Sequence, residues 1–163
     1  MNAYTYFRRG FAARLAETFL EADSGERYTY AALERETARV ASFLVGLGLQ
    51  KGDRVAAQID KSPQGLFLYL GCIRAGLCFL PLNTAYQRGE LGYFLQDAEP
   101  RVVVCRPQML GTFEALAREA GFRRAIHALM HTANASANWS ARCGITLRRY
   151  TLFGKALARF ATV

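Results

Sequence analysis

The sequence predicts an α/β fold, an N-terminal hairpin and helix followed by a βαβαβ layered unit. Three observations carry that expectation. Short apolar runs at residues 54–59 (RVAAQI), 77–82 (LCFLPL) and 101–105 (RVVVC) have the length of strands. Between them stand two segments with helical start and stop signals. Gly, Pro and Asx residues separate each element from the next, so the strands pair through right-handed helical crossovers.

The elements follow in order. Residues 5–16, TYFRRGFAARLA, place Phe7, Phe11 and Leu15 at i, i+4 and i+8, the inward stripe of a helix. Two β-prone runs flank Asp23-Ser24-Gly25-Glu26 and read as a hairpin. Thr29 caps the next helix. Its inward stripe is Leu33, Thr37, Val40, Ala41, Leu44 and Leu47, with Glu34, Arg35, Glu36 and Arg39 toward water, and Gly46 and Gly48 end it. Lys51-Gly52-Asp53 turns into the strand at 54–59. Ser62 as N-cap and Pro63 at the first helical position start a helix to about Ala75. It is apolar almost all round and is expected to be buried. Gly76 closes it, and 77–82 reads as a parallel strand covered on both faces. An amphipathic helix over 88–98 uses Leu91, Phe94 and Leu95 and is broken by Glu99-Pro100. The strand at 101–105 follows, then one more helix over 111–120.

The bulk properties agree with one folded domain. The chain has 163 residues, 52% of them hydrophobic and 21% charged, which excludes a disordered polar chain. No apolar run reaches the roughly 18 residues of a membrane span. The net charge of +8 is lopsided. Residues 1–121 hold 14 Lys/Arg and all 13 Asp/Glu, while residues 122–163 hold 7 Lys/Arg and no acid. Two compositions therefore meet near Gly121. Cys72, Cys78, Cys105 and Cys143 form no CxxC pair and have no His at ligand spacing, so they read as reduced, buried thiols of a cytoplasmic protein. Arg8, Arg9 and Arg14 precede the first acid, as in a mitochondrial presequence, but no serine accompanies them and Glu17 follows at once.

Two strings carry a family resemblance. Tyr28-Thr29-Tyr30-Ala31-Ala32-Leu33 resembles the "[ST]Y.EL" opening of the first long helix in the adenylate-forming ligase superfamily, with Ala32 where Glu is usual. Residues 73–83, IRAGLCFLPLN, resemble its "LKAGGAYVPLN" box. Over residues 15–107 the likeness is to the N-terminal part of acyl-CoA synthetases, most of all to the malonyl-CoA synthetase branch. The resemblance implies an ATP-dependent carboxylate–CoA ligase, which activates a small acid such as malonate as an acyl-adenylate and passes it to the CoA thiol. ATP, Mg²⁺ and CoA are implied for the full-length family. Such chemistry needs a Gly/Ser/Thr-rich phosphate loop, a ribose-binding acid and a mobile lysine. The "TSGTTGRPKG"-type loop, the "YGxTE" segment and the lysine-bearing small domain have no counterpart in these 163 residues. Gly154-Lys155 lacks the rest of a phosphate loop, and the 23–26 turn carries two acids that repel phosphate.

The expected organisation is a partial N-terminal (AMP-binding) ligase domain over 1–107, a connecting helix over 108–121 and a divergent basic tail over 122–163. The change of composition is expected to reflect a truncated reading frame, read out of frame or from another exon beyond about residue 108 or 122. The chain is expected to be inactive alone, and no catalytic, cofactor-binding or metal residue is assigned. Arg54, Lys61 and Arg74 are the cations placed to approach a CoA phosphate in a full-length ligase, although solvated turn and helix charges need no such role. His127 and His131 stand i, i+4 without a Glu between them or a third ligand, so no zinc site is assigned. The alternative is a small non-catalytic module. Its tail, with Arg148, Arg149 and Lys155 among Tyr150, Phe153 and Phe160, would bind nucleic acid or anionic membrane without sequence specificity.

Overall fold

A computed structural model describes residues 2–119. Helix α1 (Ala3–Phe11) leads into an antiparallel hairpin, β1 (Thr18–Glu21) and β2 (Arg27–Thr29). Then come α2 (Tyr30–Gly46), β3 (Arg54–Gln58), α3 (Pro63–Ala75), β4 (Cys78–Pro81), α4 (Arg88–Ala98) and β5 (Val102–Cys105). A 3-10 turn (Pro107–Met109) opens into α5 (Leu110–Glu119).

Local chemistry explains the boundaries. Thr29 Oγ1 accepts from the Ala32 N–H at 3.2 Å and Ser62 Oγ from the Gly65 N–H at 3.1 Å, each satisfying a free donor of its helix start. Ser62→Ala is expected to lower stability by about 1 kcal/mol, read as an earlier urea midpoint at unchanged slope. Gly76, at φ +75°, closes α3 in the left-handed conformation that a side chain disfavours. At α4 no hydroxyl is available at the start, and the Glu90 carboxylate accepts from the Gln87 N–H at 2.7 Å instead.

The three-stranded sheet has the order β4-β3-β5 and is parallel throughout. The chain leaves β3 toward one edge and returns across it to the other, so successive helices cover opposite faces. Val55, Ala57, Val102 and Val104 face α2 and α3 through Val40, Leu44, Leu68 and Cys72. Ala56, Val103 and Cys105 face α4 and α5 through Leu91, Leu95, Phe113 and Leu116. Alternation along each strand thus splits the core into two layers. A third cluster, Tyr4, Phe11, Leu33 and Phe67, fastens α1 and the hairpin to α2 and α3.

Three expectations are corrected. Among the described strands, the one near 77–82 lies at the edge and is only partly covered: Phe79 packs into one layer and Leu80 into the other, and its end residues are exposed. Cys78 is therefore exposed, whereas Cys72 and Cys105 are buried as expected. The first helix starts earlier and ends at Phe11, burying Tyr4 and Phe11 and leaving Phe7 and Leu15 exposed. At 100° per residue, Tyr4 and Phe11 nearly superpose around the axis while Phe7 lies about 60° away. Glu34, expected to face water, is turned toward Arg74 and partly covered. Cys143, His127, His131 and the cations Arg148, Arg149 and Lys155 lie outside the described residues.

Candidate functional site

In an open α/β sheet, ligands gather outside the carboxyl ends of the strands, where successive connections diverge to opposite faces. Here that point lies between β3 and β5. Gln58, the last residue of β3, is fully buried there. Its amide nitrogen donates to the carbonyls of Asn83 at 2.9 Å and Tyr86 at 3.2 Å, which ties down the turn following β4. The Asn83 side chain accepts from the Ala85 N–H at 2.9 Å and shapes the same turn. Arg106, just past β5, donates from its backbone N–H to the Gln58 carbonyl at 3.2 Å and from Nη2 to the Thr84 carbonyl at 3.1 Å. Its Nη1 stands 3.6 Å from the Asp60 carboxylate. Gln58 Oε1 and Arg106 Nε are buried and have no protein partner among the described residues.

Gln58 thus ties the turn after β4 and the chain leaving β5 to the end of β3. Gln58→Leu removes two part-buried hydrogen bonds, to the carbonyls of Asn83 and Tyr86, and is expected to cost about 1–3 kcal/mol. Faster amide exchange at residues 83–87 than in the parent chain is the check, since a merely local effect of volume would leave that turn protected.

The three cations singled out from the sequence do not converge. Arg54 begins β3, at the end of the strand away from this edge, and its guanidinium binds the carbonyls of Ala98 and Glu99 at the end of α4. Arg74 pairs with Glu34 at 2.7 Å and lies over the Tyr4 ring, 4.9 Å from its centroid. Only Lys61 sits beside the carboxyl edge, where it is exposed. Arg106 joins it there and was missed. Its signal is a charged residue directly after the buried run VVVC, the position where a strand delivers its chain to the ligand edge.

Burial pushes the Cys72 thiol up to about 12 from 9.0, and burial with the nearby Glu114 carboxylate does the same to Cys105. Neither thiol is a ready nucleophile or metal ligand. Unfolding frees both to ionise, so their contribution to stability is complete below pH 9 and is lost as pH rises from 9 toward 12. Alkaline titration of the midpoint of urea unfolding should show this decline, and Cys72→Ala with Cys105→Ala should flatten it. With Ellman's reagent at about pH 8, just below the ordinary thiol range, Cys78 is expected to react while Cys72 and Cys105 stay protected until the chain unfolds.

Among the described residues there is no group of three or more His, Cys, Asp or Glu that could hold a metal ion. The positive-φ glycines Gly25, Gly48, Gly52 and Gly76 each close a separate turn, so no glycine-rich run of backbone N–H groups forms a phosphate cradle there. The Gly25 turn carries Asp23 and Glu26, and Asp53 accepts from the Gln50 N–H at 2.8 Å within its own turn. Among the described residues, then, no backbone cradle for the triphosphate of ATP is formed. No helix among them is long and apolar enough to cross a membrane.

A doubly covered parallel sheet with an LPLN turn at its carboxyl edge defines a partial adenylate-forming ligase domain, and the chain belongs to the AMP-binding enzyme family. That family's profile matches residues 7–143. Among solved structures, apo MatB from Rhodopseudomonas palustris is 43% identical with a TM-score of 0.70, covering 80% of this chain and 26% of that one. A benzoate CoA ligase from Burkholderia xenovorans LB400 has a TM-score of 0.72 at 22% identity, covering 86% of this chain and 28% of that one, which shows likeness of fold alone. Among curated proteins, a crotonobetaine/carnitine–CoA ligase of Escherichia fergusonii is 30% identical over 93 residues, 57% of this chain and 18% of its own length. The vanchrobactin synthetase VabF of Vibrio anguillarum is 34% identical over 95 residues, 58% of this chain and 3% of its own length. The chain therefore spans between 3% and 28% of the length of these relatives.

Proposed function

We propose that this chain is the N-terminal portion of an ATP-dependent carboxylate–CoA ligase that activates malonate or a close analogue, and that it is inactive alone. One contrast carries the reading. The fold is equally similar to MatB and to the benzoate CoA ligase, at TM-scores of 0.70 and 0.72, but identity is 43% to the first and 22% to the second. Shared geometry is common to the whole class, whereas the surplus of shared residues favours one branch of it. The IRAGLCFLPLN string lies in that part of the chain.

In the complete reaction the acid's carboxylate attacks ATP to give an acyl-adenylate, and the CoA thiol then takes the acyl group. Mg²⁺ would offset the phosphate charge. This portion would supply the rigid sheet whose carboxyl edge, held by Gln58 and Arg106, supports the groups that do the chemistry. Inactivity of these residues by themselves is the expectation because no glycine-rich run among the described residues cradles a phosphate.

Two measurements test the proposal. The purified chain is expected to form no AMP from ATP with malonate and CoA, and AMP formation would overturn the claim of inactivity. Residues 7–143 grafted in place of the equivalent part of MatB are expected to retain malonate-dependent thioester formation. A graft that folds, by circular dichroism and a cooperative melt, but turns over benzoate in preference to malonate would sink the malonate reading.

A further inference from the structure

A cavity of about 340 Å³ opens between α1, α2 and α3, lined by Asn2, Tyr4, Thr5, Arg8, Glu34 and Arg74. Its volume is at the lower end of the range of small-molecule sites. Its charges are unequal, because two guanidinium groups share one carboxylate. Glu34 Oε1 lies 2.7 Å from Arg74 Nη1 and 3.1 Å from Arg8 Nε.

Both arginines keep donors in reserve. The bonds of Arg74 all run through Nη1, which also reaches the Tyr4 hydroxyl at 3.3 Å, the Glu34 carbonyl at 3.2 Å and Thr37 Oγ1 at 3.4 Å. The ion pair of Arg8 runs through Nε. Nη2 of Arg74 and both terminal nitrogens of Arg8 have no bond among the described residues. Arg74 is also preorganised: the Tyr4 ring lies against its guanidinium, and its carbonyl accepts from the Asn2 side chain at 2.9 Å. Tyr4 is in turn fixed by the 2.7 Å contact between its hydroxyl and Thr37 Oγ1.

A guanidinium with a free edge matches the paired oxygens of a carboxylate or phosphate, and here two such edges border one cavity. We propose that this cavity binds a small oxyanion between Arg8 and Arg74. Phosphate groups and small dicarboxylates are two sources of that chemistry. The Glu34 carboxylate stays in place and limits the site to an anion that approaches from the side of the unused nitrogens. Because the cavity is open to water, binding is expected in the millimolar range.

The full chain is titrated with inorganic phosphate and, separately, with malonate at constant ionic strength set by chloride, reading the thermal midpoint and the heat of binding. Arg8→Gln is the test variant, since Arg8 is half exposed and its loss leaves the core intact. Arg9→Gln, on the same helix but outside the cavity lining, is the control with the same net charge. Saturable binding to the parent chain and to R9Q, weakened about tenfold or more in R8Q as expected for loss of a bidentate contact, is the expected result. Whichever of phosphate and malonate binds more tightly identifies the source of the anion. Equal binding by R8Q and R9Q would place the anion on general positive charge, such as that of residues 122–163, and would overturn the proposal. So would the absence of saturation with both probes.

Discussion

Gly71→Ala is expected to destabilise the fold by about 1–3 kcal/mol, although alanine is the better helix former. A Cβ at Gly71 would stand 2.4 Å from Val40 Cγ1 and 2.6 Å from Val40 Cβ, with the Thr37 carbonyl at 3.4 Å. Real Cβ atoms do not approach other carbons so closely, so α3 must move away from α2. That separation opens the layer formed by Val40, Leu44, Leu68 and Cys72 against the sheet. The helix-propensity gain of about 1 kcal/mol is outweighed by the loss of packing along two whole helices. Val40→Ala in the same chain removes the closer contact but leaves the Cβ clash, so it should restore only part of the loss. Gly10→Ala makes the converse prediction. An added Cβ there would meet nothing within 4 Å, and the change should stabilise by about 0.5–1 kcal/mol. Urea unfolding followed by circular dichroism measures all three, and a G71A chain as stable as the parent would show that α2 and α3 are not in this close contact.

Phe67→Ala is expected to cost about 3–5 kcal/mol, since Phe67 is among the largest fully buried side chains of the described residues. Phe67 is 1% exposed, and its ring meets Tyr28 edge-on with centroids 5.3 Å apart. It joins Tyr4, Phe11 and Leu33 in one cluster, so its removal loosens α1 and the hairpin from α3 together. A loss of near-ultraviolet circular dichroism at native temperature, with protease cleavage shifting into residues 12–27, would accompany the lower midpoint. Phe67→Leu fills most of the space and should cost clearly less. If F67A melted with the parent, the third cluster would be dispensable to the fold.

Much of the architecture was legible in the sequence because it rests on local chemistry. The start of α3 follows from Ser62-Pro63, its end from Gly76, and the span of α4 from its apolar spacing and Glu99-Pro100. The parallel character of the sheet followed from alternation of helices and apolar strands. The place of each strand within the sheet did not. A run such as LCFLPL reads as covered on both faces, yet among the described strands β4 lies at the edge, partly covered and with Cys78 exposed. The strand order that puts it there is set by how the α3 and α4 crossovers pack, which is a long-range property. For the same reason Phe7 was assigned inward although α1 buries Tyr4 and Phe11 instead. A helical stripe fixes only relative positions, and the partner surface selects which stripe is used.

The site shows the same division. The IRAGLCFLPLN string marked the family, a conclusion that the profile match over residues 7–143 supports. That string could not reveal that its turn is held by Gln58, 25 residues earlier, or that Arg106 closes the same edge. Nor could it show that Arg54 binds the end of α4 and that Arg74 pairs with Glu34, both away from this edge. By itself the sequence determined the class of domain, the limits of α3 and α4 and the strands, since caps, turns and apolar periods act over a few residues. Only the tertiary structure decided which side chains meet at the carboxyl edge and which pair elsewhere, because those partners are brought together by crossovers and packing across the whole chain.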